Sequence, residues 1–204
     1  MGVVNTWNGI ARSSLKTWDG IAAASVKTIN GFDATVSSGY TLLYNSFFAG
    51  GSTVYVCYSN TYYYAGQGYF NDSARTIGKV AFKVTATGTI SGKTYYARIW
   101  TQSGDNLATN VATSDGVTGV NAWSASEVEF VFSTPYTTTG STNYTITIDA
   151  GSADSSNYIQ AYYVATASAP TPPPGNLAYQ FWNTGMYPTE STANEIQIKI
   201  YTTP

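Results

Sequence analysis

From Val54 to Tyr201 the chain alternates apolar and polar residues in one short segment after another. A period of two fits a half-buried strand, and no segment carries the longer period of an amphipathic helix. Lys79-Val80-Ala81-Phe82-Lys83-Val84-Thr85-Ala86 puts Val80, Phe82 and Val84 on one face. Lys93–Thr101 puts Tyr95, Ala97 and Ile99 on one face and Tyr96, Arg98 and Trp100 on the other. Glu127–Phe132, Tyr144–Ile148 and Glu195–Tyr201 repeat the pattern, and Tyr158–Val164 is an aromatic strand with Gln160 inside it. Turns rich in Gly, Asn, Asp and Ser separate these segments. Pro172-Pro173-Pro174, within Pro170–Gly175, cannot sit inside a sheet and is read as a rigid surface excursion. At least eight such strands predict an all-β fold, an antiparallel two-sheet jelly-roll β-sandwich with a short N-terminal repeat stem.

That stem is an 11-residue repeat. Thr6-Trp7-Asn8-Gly9-Ile10-Ala11 aligns with Thr17-Trp18-Asp19-Gly20-Ile21-Ala22 and with Thr28-Ile29-Asn30-Gly31-Phe32-Asp33. A short fixed period marks a unit that cannot bury its own apolar face and stacks on copies of itself. Three units are too few for a core, so the missing surface is expected from other chains, with a homotrimer as the expected assembly. The anchoring and oligomerising residues are then Trp7, Gly9, Ile10, Trp18, Gly20, Ile21, Ile29, Gly31 and Phe32. The Asn-Gly and Asp-Gly dipeptides signal tight turns between short strands. An 11-residue period also suits a helical supercoil, which leaves helix open for Ile10–Leu15 and Ile21–Val26. The expected organisation is a stem over 1–34, a linker and first strand over 35–53, and a sandwich head over 54–204.

Composition narrows the function classes. Only 10% of residues are charged, against ~25% in ordinary soluble domains, and the formal net charge is −2. A basic face for nucleic acid is therefore missing, and no apolar run is long enough for a membrane-spanning helix. Met1–Thr6 shows neither the basic nor the apolar region of a signal peptide. A β-rich, tyrosine-rich chain without an export signal fits a virion surface protein made in the host cytoplasm. The lone Cys57 allows no internal disulfide and reads as a buried structural thiol.

The absence of histidine removes Ser-His-Asp and Cys-His nucleophiles and most transition-metal sites. Gly66-Gln67-Gly68 fits no phosphate-binding motif, and Glu127 with Glu129 reads as a solvated strand face rather than a hydrolytic pair. The chain is expected not to be an enzyme and to need no cofactor. Structural calcium is the one metal considered, with Asp105, Asn106, Asp115, Asp149 and Asp154 as loop oxygen donors, although their spacing matches no calcium loop. The aromatic residues exceed what one core needs, and those left outside it suit sugar stacking. Trp100, Trp182, Tyr187 and Asn183 are the candidate glycan-binding residues, with Gln160 a further amide.

The succession of cues over roughly residues 70–201 resembles a known family. It comprises the Gly88–Gly92 turn, Leu107-Ala108, Trp123, Val128–Phe132, Pro135-Tyr136, Asn143–Ile148, Trp182 and Glu195–Tyr201. The resemblance is to the choice-of-anchor, or DUF4082-like, jelly-roll sandwich of bacterial and phage surface proteins. The N-terminal units resemble the Lys-x-Ile/Trp-Asn-Gly repeats that open many phage and prophage structural proteins. Together they imply a virion fibre, spike or head-decoration subunit bound to other capsid or tail proteins, its head facing a host-surface glycan. A carbohydrate-binding adhesin and a self-polymerising surface filament are the alternatives.

Overall fold

The computed structural model describes residues 6–7, 10–11, 17–18, 21–22, 28–29, 32–33, 39–47, 49–56, 62–71, 73–103, 106–150, 154–165, 177–182, 185–191 and 194–203. For the described residues within 6–33 and 177–191 it gives the backbone course only. Cys57, Asp105, Asn183 and the Pro170–Gly175 segment lie outside the described residues. The chain divides into two compact units, Met1–Gly39 and Tyr40–Pro204.

The first unit holds three antiparallel ribbons: β1 (Thr6–Trp7) with β2 (Ile10–Ala11), β3 (Thr17–Trp18) with β4 (Ile21–Ala22), and β5 (Thr28–Ile29) with β6 (Phe32–Asp33). Their registers are identical, pairing Trp7 with Ile10, Trp18 with Ile21 and Ile29 with Phe32. Two residues separate each pair, the hairpin length for which Asn-Gly and Asp-Gly are favoured. Ile10–Ala11 and Ile21–Ala22 are strand rather than helix.

The second unit is a sandwich of two antiparallel sheets. Its strands are β7 (Thr41–Asn45), β8 (Ser52–Val56), β9 (Tyr62–Asn71), β10 (Thr76–Thr87), β11 (Thr94–Ser103), β12 (Asn106–Thr113) and β13 (Val117–Thr118). They continue with β14 (Ser126–Thr137), β15 (Thr142–Ala150), β16 (Tyr158–Ala165), β17 (Leu177–Trp182), β18 (Gly185–Ser191), β19 (Asn194–Ile196) and β20 (Ile198–Thr202). Sheet I follows the order β19-β16-β10-β20-β7, with β14 on β10 and β8 on β16. Sheet II follows β12-β11-β15-β9-β17-β18, with β13 on β11. From β8 to β11 and from β13 to β17 each successive strand changes sheets, while β7–β8 and β19–β20 stay in sheet I and β11–β12–β13 and β17–β18 in sheet II, so the chain shuttles between the two layers of the sandwich.

The alternating patterns supply the core. Val80, Phe82 and Val84 of β10 face Tyr95, Ala97 and Ile99 of β11 and Tyr144, Ile146 and Ile148 of β15 in one buried cluster. Phe82 meets Phe130 edge to face, with centroids 6.0 Å apart. Each such side chain contributes about 1.5–3 kcal/mol on burial. The turn from β10 to β11 depends on Gly88, at φ +71°, because a Cβ there would collide with the Ser156 carbonyl oxygen.

The closing segment departs from its expected single strand. Glu195–Tyr201 breaks at Gln197, where β10 and β16 diverge. β19 is antiparallel to β16 and β20 antiparallel to β10, so the two arms run in opposite directions and Gln197 is the apex of a V. Gln197 N–H donates to the Tyr162 carbonyl at 2.8 Å, and its own carbonyl accepts from Lys83 N–H at 3.1 Å. Ser46 bridges the arms: its hydroxyl donates to the Ile196 carbonyl at 2.7 Å and accepts from Ile198 N–H at 2.8 Å. β20 then pairs with β7, bringing Thr202 opposite Thr41.

Candidate functional site

Each sheet turns a second face away from the core, and the two outer faces differ in chemistry. On sheet I, Lys79 donates to Glu129 at 2.7 Å and Lys199 to Glu127 at 2.6 Å. Ala81 pairs with both Glu129 and Lys199, and its small side chain leaves room for the Lys199 stem to cross toward Glu127. Lys79 lies 4.3 Å from the Tyr201 ring centroid, Lys83 4.9 Å from that of Tyr162 and Lys199 4.6 Å from that of Phe47. Glu127 and Glu129 thus share the outer face that their alternation implied, but each is paired with a lysine there, and each lysine is held against a ring.

The outer face of sheet II is built on a diagonal. Arg98 stands opposite Thr147, yet its guanidinium reaches Asp149 at 2.6 Å. Trp100 stands opposite Thr145, and its indole N–H donates to the Thr147 hydroxyl at 3.0 Å. The Gln102 amide donates to the Thr145 hydroxyl at 2.7 Å. Each β11 side chain leans one step along β15, within reach of diagonal neighbours on a twisted sheet. Thr145 and Thr147 are 0% exposed and Asp149 only 2%, although all three point away from the core. A second layer covers them. Trp100 meets Tyr64 edge to face at 5.8 Å, and both rings pack on Leu107. Opposite the threonines β9 carries Gly68 and Gly66, and a Cβ on Gly66 would stand 2.7 Å from the Thr147 methyl.

Electrostatics on this face reduce to one pair. Burial pushes the Asp149 carboxyl up, and the hydrogen bond and charge of Arg98 pull it back only in part. Desolvation is also the largest influence on Arg98, whose side chain keeps 26% of its exposure, but the hydrogen bond and charge of Asp149 outweigh it, so its pKa is raised as well. Asp149 is also a correction to the sequence reading: it lies inside β15, not in a loop. Alternation carries it onto the outer face, where it serves an arginine.

The other proposed calcium donors are dispersed. Asp115 accepts from the Ser133 hydroxyl at 2.8 Å, Asn106 opens β12, and Asp154 closes its own turn against Ser156, Asn157 and Lys93. Among the described residues no group of three His, Cys, Asp or Glu could hold a metal ion.

The expected glycan residues are not all gathered. Trp100 sits on β11, Trp182 ends β17 and Tyr187 lies on β18. Trp100's row crosses β15 and β9 to Leu177, five positions from Trp182, so the two tryptophans stand roughly 20 Å apart. Gln160 belongs to sheet I. The sequence missed Tyr64, Arg98 and Asn110 as neighbours of Trp100. Arg98 alone was signalled, by sharing its alternation face with Trp100. The stem residues Trp7, Ile10, Trp18, Ile21, Ile29 and Phe32 are the direct cross-strand partners of the three ribbons, and Gly9, Gly20 and Gly31 lie outside the described residues.

No protein-family model and no curated protein matches the chain. Solved structures similar in fold include two of one protein. One is a clostridial cysteine protease, Cwp84, after propeptide cleavage, at TM-score 0.51 and 17% identity over 83% of this chain and 42% of that one. The other comprises the cysteine protease and lectin-like domains of Cwp84, a surface layer associated protein of Clostridium difficile. It matches at TM-score 0.51 and 18% identity over 83% of this chain and 37% of that one. The chain spans less than half the length of either.

Proposed function

We propose that this is a non-enzymatic virion structural protein, a fibre, spike or head-decoration subunit. Its repeat unit attaches and trimerises it, and its sandwich is held outward for adhesion to a host-surface glycan. The observation that carries the reading is the identical register of the three N-terminal ribbons. A two-residue ribbon has no core of its own, so its recurrence suits stacking against other chains or a larger particle. The sandwich, in contrast, closes its own core and pairs its own lysines. A similar chain described as carrying lectin-like domains supports an adhesive use of the head.

The test compares residues 1–204 with residues 40–204 by light scattering and by incorporation into particles. The full chain should give a discrete trimer that joins the particle, and the truncated chain a folded monomer that does not. Normal incorporation of the truncated chain would refute the attachment role. An open series of oligomers from the full chain would favour the filament reading instead.

A further inference from the structure

We propose that the outer face of sheet I around Tyr162 is a binding site for a neutral saccharide. One sugar ring lies on the Tyr162 phenol ring, and its hydroxyls bond to the Gln160 amide and the Thr53 hydroxyl. The inference rests on reading the sandwich as an adhesive head, and it adds the site and the charge class of the ligand.

The register gathers these groups. Ile159 and Ala161 of β16 belong to the core, so Gln160 and Tyr162 point away from it, about 7 Å apart as alternate residues of one strand. Thr53 of β8 stands directly opposite Tyr162, and Thr85 of β10 opposite Gln160. All four are half-buried, so each keeps surface that a ligand can reach. The ring and the polar groups are immediate neighbours, with no charged side chain between them.

Two features fit the patch to a sugar. Lys83 is only 9% exposed, and its ammonium lies 4.9 Å from the Tyr162 ring centroid. The ring therefore roofs the lysine, is held by it, and turns its other face outward. A plane fixed in this way covers the C–H side of a sugar at a low ordering cost. The Gln160 amide and the Thr53 hydroxyl make no hydrogen bond among the described residues, whereas Thr85 already donates to the Trp123 carbonyl at 3.3 Å. Gln160 and Thr53 thus offer donors and acceptors to the hydroxyls at the sugar's rim.

Charge selects among sugars. The nearest cation is buried under the ring, and Glu127, the register partner of Lys83, is held by Lys199 at 2.6 Å. A carboxylated or sulfated sugar finds no open cation to offset its desolvation, so the patch favours an uncharged one.

The experiment probes the full chain with an array of neutral and anionic oligosaccharides, then titrates the best neutral binder. Tyr162→Leu and Gln160→Ala should each weaken binding about tenfold. The Gln160 side-chain amide resonances, identified by their loss in Gln160→Ala, should shift on titration with the neutral sugar. Should Tyr162→Leu fail to fold, Gln160→Ala, which removes no described hydrogen bond, decides alone. A silent array, a preference for anionic sugars, or unweakened binding by Gln160→Ala would overturn the site. Light scattering of the same samples keeps the two claims apart, because a trimer that binds no sugar removes only this inference.

Discussion

Tyr44 and Glu195, 151 positions apart, meet inside the core, where the phenol donates to the carboxylate at 2.7 Å. Glu195 is 0% exposed and Tyr44 4%, so the bond closes a buried polar cluster rather than decorating a surface. Gln67 of sheet II joins the same region by accepting from Ile196 N–H at 2.9 Å. The two sheets are thus tied by polar groups where the V of β19 and β20 opens. Removing the phenol oxygen takes a donor from a carboxylate that water cannot reach. Tyr44→Phe should lower stability by about 1–3 kcal/mol in urea titration. No change would mean that the cluster repairs itself.

Burial, foremost, pushes the Tyr44 hydroxyl far above its ordinary value of 10.0, and Tyr201 is pushed up to about 12 for the same leading reason. The unfolded chain ionises these groups near 10, so above that pH the folded state holds protons that the unfolded state releases. Their contribution is full below pH 10 and is lost as the pH rises toward 12. Urea midpoints measured across that range should fall, and Tyr44→Phe should make the fall shallower. A midpoint flat to pH 12 would contradict the burial of these hydroxyls.

The turn at 154–157 is held by one carboxylate. Asp154 accepts from the Asn157 side chain at 2.9 Å, from Ser156 N–H at 2.9 Å and from Lys93 at 3.0 Å. These donors, that of Asn157 first, hold its carboxyl well below the usual carboxylate range. A depressed value contributes stability above the unfolded pKa and loses it as the pH falls through the folded one. Asp154→Ala should therefore speed hydrogen exchange at Ser156 and Asn157 at neutral pH while the core amides stay protected. Equal protection in both proteins would assign the turn to its backbone alone.

Gly66 lets the β15 threonines lie across β9. A Cβ there would stand 2.7 Å from the Thr147 methyl and 3.0 Å from the Ile146 carbonyl oxygen. Gly66→Ala should cost about 1–3 kcal/mol by overpacking and should displace Thr147 from the Trp100 indole. Thermal unfolding reads the first effect and the indole N–H resonance the second. An unchanged melting temperature would show that the strands separate without penalty.

The sequence disclosed faces more readily than pairings. Alternation placed Phe82 inward, Trp100 outward and Glu127 and Glu129 on a common polar face, because a side chain's direction in a strand follows from its neighbours alone. The V at Gln197 escaped the same reasoning. Ile196, Ile198 and Ile200 keep their parity straight through the apex, so the pattern looks like one strand although its halves pair with different partners. Burial of Glu195 was equally hidden, since its donor lies at Tyr44 and no local feature announces it. The site suffered likewise. Trp100 stood out by type, but its neighbours Tyr64 and Asn110 come from β9 and β12, and only the register assembles them.

Thr41 and Thr202 are register partners, so the polypeptide enters and leaves the sandwich at the same pole. Tension applied between those ends does not stretch the sandwich along its strands. It peels β7 from β20 one pair at a time, and the remaining strands carry no load until that seam has opened. The same proximity lets the domain sit on a longer polypeptide like a bead beside its thread, or be reconnected end to end and opened elsewhere, without rearranging its core.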